Sequence, residues 1–237
     1  MKNILKNKNV LITGATGGIG SEIVKAMAKK KCNLFLTSTS SKKLVTLTDK
    51  LKKFTADISY CKCNFLNSTD VAQLIMLAKK RYKHIDILIN CAGMYLYKSI
   101  EECLFLEYDA LMDINVKIPW VLSKEFSKEM KEQKWGRIVN IGSIAAYHGY
   151  ANNTIYSATK HALLGISRSL YKEFKPYGIR VFSVSPSGTK TKMGKQIPGQ
   201  DYNTFLKPKE IASYVTYILS ANHEMIEEEV RLNRYKE

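Results

Sequence analysis

The chain has 237 residues, 45% hydrophobic and 24% charged, with a net charge of +16 from 37 Lys+Arg against 21 Asp+Glu. That length is enough for one domain with a large buried core, no apolar run reaches the roughly 18 residues of a membrane helix, and lysines scattered along the whole chain without a basic tail give no nucleic-acid motif. Five cysteines (Cys32, Cys61, Cys63, Cys91, Cys103) without framework or metal spacing, four scattered histidines and a polar start over 1–8 leave no disulfide scaffold, metal site or signal peptide, and favour free thiols in a reducing cytoplasm.

In chain order, the apolar run 9–13 reads as a buried parallel strand entering glycines. Residues 19–30 follow with helical periodicity through Ile19, Ile23, Val24 and Met27. A second strand is predicted at 33–37, and a helix at 42–54 on the leucines Leu44, Leu47 and Leu51. A third strand falls at 59–65, a helix at 70–81 capped near Ser68, and a fourth strand at 85–90. A long helical region covers 108–131, with Pro119 expected to bend it. A fifth strand at 137–141 leads to a helix at 155–174 that carries Ala158, Ala162 and Gly165 on one side. A sixth strand at 179–184, a polar loop over about 187–207, a helix at 208–219 and an edge strand at 229–232 complete the chain. Alternating strands and helices call for a single α/β domain over 1–237, a doubly wound parallel sheet of Rossmann type with helices on both faces.

Two local patterns carry chemistry. The first is Thr13-Gly14-Ala15-Thr16-Gly17-Gly18-Ile19-Gly20, between the first strand and the first helix. Glycines there admit a pyrophosphate to the backbone, and the helix start offers free N–H groups. Gly14, Thr16, Gly17, Gly18, Ile19 and Gly20 are therefore candidate dinucleotide-binding residues. At the end of the second strand, Thr37-Ser38-Thr39-Ser40-Ser41-Lys42-Lys43 contains no acid to hold a ribose 2′-hydroxyl. Its hydroxyls and lysines suit a 2′-phosphate instead, so NADP(H) is expected over NAD(H), with Ser38 and Thr39 at the contact. The alternative is that this run only caps the next helix. The second pattern is Tyr156 and Lys160, four apart and so on one helix face. An ammonium beside a phenol favours the phenolate, tuning the tyrosine for proton exchange with a substrate oxygen.

Together with Ser143 these residues resemble the short-chain dehydrogenase/reductase family over nearly the whole chain, from Val10 to about Leu232. The resemblance rests on Thr13-Gly14 with Gly18-Ile19-Gly20, on Asn90-Cys91-Ala92-Gly93, on Asn115, and on Ser143, Tyr156 and Lys160. It implies a catalytic tetrad of Asn115, Ser143, Tyr156 and Lys160. Tyr156 would be the general acid in carbonyl reduction, Lys160 would hold the nicotinamide ribose, Ser143 the substrate oxygen, and Asn115 a water leading protons toward Lys160. It also implies cofactor contacts from Asn64, Phe65, Asn90, Ala92, Gly93, Pro186, Gly188, Thr189 and Thr191. Three departures stand out: Asn64 replaces the usual Asp, Cys91 replaces an Asn, and Pro186-Ser187-Gly188 replaces Pro-Gly.

The implied activity is an oxidoreductase acting on a small-molecule ketone or 3-oxo group. The substrate pocket is expected from Met94, Tyr95, Ala145, Tyr147, Tyr150, Met193, Tyr202 and Phe205. A 3-oxoacyl-carrier-protein reductase is the nearer alternative; Lys134 matches one carrier-docking position and Tyr177 replaces the other, while the stretch 224–234 lacks the terminal segment of those relatives. A dinucleotide-sensing binding protein without turnover is an alternative of another class. The resemblance further implies a homodimer or homotetramer built on the helices at 155–174 and 108–131, with neither nucleic acid nor membrane as partner.

Overall fold

Seven strands pair in parallel in the order β3-β2-β1-β4-β5-β6-β7. They are β1 (Asn9–Ile12), β2 (Asn33–Ser38), β3 (Ile58–Lys62), β4 (Ile87–Asn90), β5 (Gly136–Ile141), β6 (Ile179–Pro186) and β7 (Glu229–Leu232). The helices between them are α1 (Gly18–Lys29), α2 (Ser41–Leu51), α3 (Ser68–Tyr82), α4 (Phe105–Met112), α5 (Ile118–Glu132), α6 (Thr154–Phe174) and α7 (Pro208–Ser220). The computed structural model describes residues 3–55, 57–221 and 226–235. Met1 and Lys2 of the polar start, and Glu224 and Met225 of the C-terminal stretch, lie outside the described residues. Among the described residues no helix is long and apolar enough to cross a membrane.

Strand alternation sorts the core into two layers. The register row Phe35, Leu11, Leu88, Ile138 and Val181 faces one side of the sheet. It packs on Leu74 of α3, on Leu122 and Phe126 of α5, and on Phe174 of α6. The next row, Leu36, Ile12, Ile89, Val139 and Phe182, faces the other side. It meets Ile23 and Met27 of α1, Leu44 of α2, and Val215 and Leu219 of α7. Each fully buried aliphatic or aromatic side chain contributes about 1.5–3 kcal/mol relative to exposure, and both faces of a parallel sheet need such cover.

The chain leaves β1 for β2 and β3 on one side, then crosses to β4 on the other. The crevice where that order reverses is where a doubly wound sheet takes a ligand. It opens at Thr13, whose hydroxyl accepts from the N–H groups of Cys91 and Ala92 at 3.0 Å each.

The region predicted as one helix over 108–131 is interrupted. Between α4 and α5 the residues Asp113–Lys117 form a turn of π-helix, closed by the Ile118 N–H on the Asp113 carbonyl. Pro119 has no N–H to give the carbonyl four residues back, that of Asn115. The sequence thus removes the α-helical partner of that carbonyl, and the wider turn stands just ahead of the proline. Other boundaries move by a few residues. The third strand stops at Lys62, because the Asn67 N–H turns back to the Asn64 carbonyl at 2.9 Å. Asn67, one residue ahead of the expected cap at Ser68, accepts from Thr69 and Asp70 to start α3.

Candidate active site

The C-terminal ends of the strands border one cleft of about 1020 Å³. The glycine loop shapes its floor. Gly14 has φ +62°, and a Cβ there would meet Ala92 at 2.8 Å. A Cβ on Gly18 would lie 2.4 Å from Thr191 Cγ2. Glycine is required at both positions, at one for the turn and at the other for the approach of the loop after β6. The start of α1 is unlike its neighbours. Ser40 caps α2 and Asn67 caps α3 with side-chain oxygens. At α1 Gly17 supplies none, and no acid stands in the first turn. Those N–H groups and the positive end of the helix dipole are left for an anion. A cradle that a methyl group would fill, joined to an uncapped helix start, fits the pyrophosphate of a dinucleotide.

Most of the expected cofactor residues border this cleft. Thr16, Gly17, Ile19 and Gly20 lie with Gly14 and Gly18 along the glycine loop. Ser38, Thr39, Asn64 and Phe65 lie at the β2 and β3 end, and Ala92 and Gly93 follow β4. Pro186, Gly188, Thr189 and Thr191 come from the end of β6 and its loop. Asn90 does not belong with them. Its side chain is buried, donating to Asn140 Oδ1 at 2.8 Å, and Asn140 donates in turn to Ser167 at 2.9 Å. It ties β4 to β5 and α6 from below the cleft. At the adenine end, Asn64 Oδ1 accepts from the Leu66 N–H at 3.2 Å, which leaves its other lone pair for an amino group.

Three of the four expected catalytic residues meet in the cleft. Ser143 follows β5 and starts a short 3-10 turn, its hydroxyl accepting from the Ala145 N–H at 3.1 Å. Tyr156 and Lys160 come from the first and second turns of α6, with the lysine nitrogen 5.7 Å from the phenol ring centre. The Tyr95 ring stands edge-on to Tyr156, centres 4.8 Å apart. Burial pushes the Tyr156 hydroxyl up to about 12, opposed by its hydrogen bond with Ser143. Burial pushes Lys160 the other way, down to about 8. Its ammonium donates to the Ile141 carbonyl at 3.1 Å. The expected depression of the Tyr156 pKa by Lys160 does not appear in this state: burial raises the pKa, Tyr95 adds to the rise, and the opposing influence is Ser143.

Asn115 stands behind the cleft, almost fully buried. Its amide accepts from the Met94 N–H at 2.8 Å, and donates to the Met94 carbonyl at 2.9 Å and to Thr159 at 3.1 Å. The side chain is thus a clamp between the segment after β4 and α6.

The expected substrate wall is corrected in part. Met94, Tyr95, Ala145, Tyr150 and Met193 border the cleft. Tyr147, Tyr202 and Phe205 do not. Arg231 covers the Tyr147 ring at 4.0 Å. Phe205 is buried against Gly188, and Tyr202 stacks on Phe205 at 5.3 Å. Two basic residues of the cleft, Lys192 and Arg234, are among those that escaped the sequence. A lone basic residue in so basic a chain gives no signal of its own.

The doubly wound sheet, the glycine cradle and the Ser143, Tyr156 and Lys160 cluster define a dinucleotide-binding oxidoreductase of the short-chain type. The family model "short chain dehydrogenase" matches residues 8–201, and the chain belongs to that family. An uncharacterized oxidoreductase of Thermotoga maritima is 34% identical over 186 residues, 78% of this chain and 73% of the relative. One from Staphylococcus aureus strain USA300 is 30% identical over 217 residues, 92% of this chain and 93% of the relative. Among solved structures, the alcohol dehydrogenase of the archaeon Thermococcus sibiricus, complexed with 5-hydroxy-NADP, superposes with a TM-score of 0.89 at 24% identity. That match covers 98% of each chain, and it speaks for the fold.

Proposed function

We propose that this protein reduces the carbonyl group of a small molecule, with NADPH preferred over NADH. The observation that carries the reading is the meeting of Tyr156, Ser143 and Lys160 in a cleft whose floor is the glycine loop. The chemistry that the dinucleotide supplies when bound is one hydride for the carbonyl carbon. The chain's own residues do the rest. Gly17 to Gly20 and the start of α1 hold the pyrophosphate. Ser143 donates to the carbonyl oxygen and fixes its position. Tyr156 gives that oxygen a proton as it becomes an alkoxide, so the alcohol leaves neutral. Lys160 holds the ribose hydroxyls, and its charge steadies the phenolate left on Tyr156. Ser38 and Thr39 at the adenine end, with no acid beside them, support the choice of NADPH.

The test is NADPH absorbance followed over a panel of ketones, quinones and acyl thioesters. Wild type is expected to turn over at least one class. Tyr156→Phe should fold and bind NADPH but lose about 10²–10⁴-fold in rate. Wild-type rates in that variant would overturn the assignment of Tyr156.

A further inference from the structure

Ser38 at the end of β2 and Thr39 after it border the cleft, and so does Arg234, which follows the edge strand β7. Leu232 of β7 pairs with Pro186 of β6, and the chain then turns so that Arg234 borders the cleft that also holds Ser143 and Tyr156. Arg234 Nη1 donates to Thr204 Oγ1 at 3.1 Å, and its guanidinium lies 5.1 Å from the Phe205 ring centre. Phe205 is itself fixed against Gly188. The fork is thus held on the loop that follows β6, while Thr204 takes one of its five N–H donors. Among the described residues no carboxylate pairs with it. Asp201 also borders the cleft, but its Oδ1 accepts from the Asn203 N–H at 2.9 Å and caps the short turn there. The apolar residues Met94, Tyr95, Tyr150, Met193 and Ile197 border the same cleft, together with the polar Asn153, Lys192 and Gln200.

We infer that the substrate carries an oxoanion, a carboxylate or a phosphate, at the end away from the reacting carbonyl, and that Arg234 binds it. This inference rests on the reductase reading above. A pre-positioned guanidinium without an acidic partner, in a cleft that also presents apolar side chains, matches an amphipathic oxo compound with one charged terminus. Arginine's planar fork takes such a group through two parallel bonds, which lysine cannot reproduce. Arg234 is then a specificity-determining residue and takes no part in proton transfer.

The experiment compares para-acetylbenzoate, its methyl ester and para-acetylphenyl phosphate, each reduced with NADPH. In wild type, kcat/KM for one charged ketone should exceed that of the ester by about tenfold or more, and the better one identifies the oxoanion. In Arg234→Met the ratio of charged to ester should fall to near one, and Arg234→Lys should recover only part of it. Equal use of acid, phosphate and ester by wild type, or a ratio unchanged in Arg234→Met, overturns the inference. A second arm needs no turnover: para-isopropylbenzoate is titrated calorimetrically onto the NADPH-loaded full chain. Binding weakened about tenfold in Arg234→Met supports the site even if every ketone is inert, in which case the reductase reading alone fails. Equal binding by both proteins, with ketones reduced, overturns the Arg234 site and leaves the reductase reading standing.

Discussion

Lys160 is a buried ammonium whose neighbours are a carbonyl and a thiol. Burial brings its pKa down to about 8 from an ordinary 10.5, against a smaller opposing influence of Cys91, and the ammonium donates to the Ile141 carbonyl. Such a group destabilises the fold while it is charged in both states. Below pH 8 folded and unfolded chains both hold the proton, and the penalty is fully present. Between about 8 and 10.5 the unfolded chain binds more protons than the folded one, so stability rises with pH across that window. Lys160→Met removes the titration. Wild type should therefore gain stability relative to Lys160→Met as pH rises from 8 to 10.5, with a flat difference from 6 to 7.5. Denaturant midpoints of both proteins across that range are the measurement. A difference that does not move would place the lysine in contact with solvent or a counter-charge. The cost has a function on the reductase reading: the same charge, once a phenolate forms on Tyr156, has a partner.

At the scale of elements, the proposed choice of NADPH rests on the junction of β2 and α2. Thr37 is fully buried and out of reach of a ligand. Ser38 and Thr39 border the cleft, while Lys42 and Lys43 are exposed on α2 and do not. Ser40 takes the helix cap, accepting from the Lys43 N–H at 3.4 Å. The hydroxyl run thus divides its labour, one residue for the cap and two for the cleft. NADPH should bind about tenfold more tightly than NADH, on one or two charge-assisted bonds to the 2′-phosphate. Ser38→Asp should reverse the order by repelling the phosphate and accepting from the ribose. Fluorescence titration of both cofactors at one salt concentration reads this, and equal affinities or tighter NADH in wild type would leave the run as a cap alone. What was legible in the sequence was local. The glycine loop, the Tyr156 and Lys160 spacing and the strand runs are set by neighbours a few positions apart; all seven strands form, with boundaries moved by a few residues. What was not legible depends on distant partners. Arg234 acquires its place from Thr204 and Phe205, thirty residues back. Asn90 is drawn into the core by Asn140. The π turn at Asp113–Lys117 hides in an unbroken apolar pattern, marked only by Pro119.

For the whole molecule the unfinished surface is the outer face of α4, α5 and α6. Phe105 and Leu106 at the start of α4 are 90% and 79% exposed, and Trp120 on α5 is 47% exposed. Met112, Val116, Trp120 and Ile166 line an apolar groove there, rimmed by Asp113 and Lys117. On α6 the small residues Ala158 and Gly165 lie exposed, and a Cβ on Gly165 would meet nothing within 4 Å. A stripe of small residues lets another helix approach closely, and monomers seldom leave so continuous an apolar surface in water. Two long helices offered face to face can supply the roughly 1,200–2,000 Å² of a stable interface. A second copy of this chain presents the same self-complementary face through a two-fold axis. We therefore expect a homodimer or a homotetramer at micromolar concentration, with a light-scattering mass at least twice the 26.9 kDa of one chain. Trp120→Asp should shift that mass toward the monomer, because it buries a carboxylate in the centre of the groove. The same substitution should leave NADPH titration close to wild type, since α5 meets the cleft only through the π turn ahead of it. A monomeric wild type would return these helices to solvent, and the assembly would fail with it.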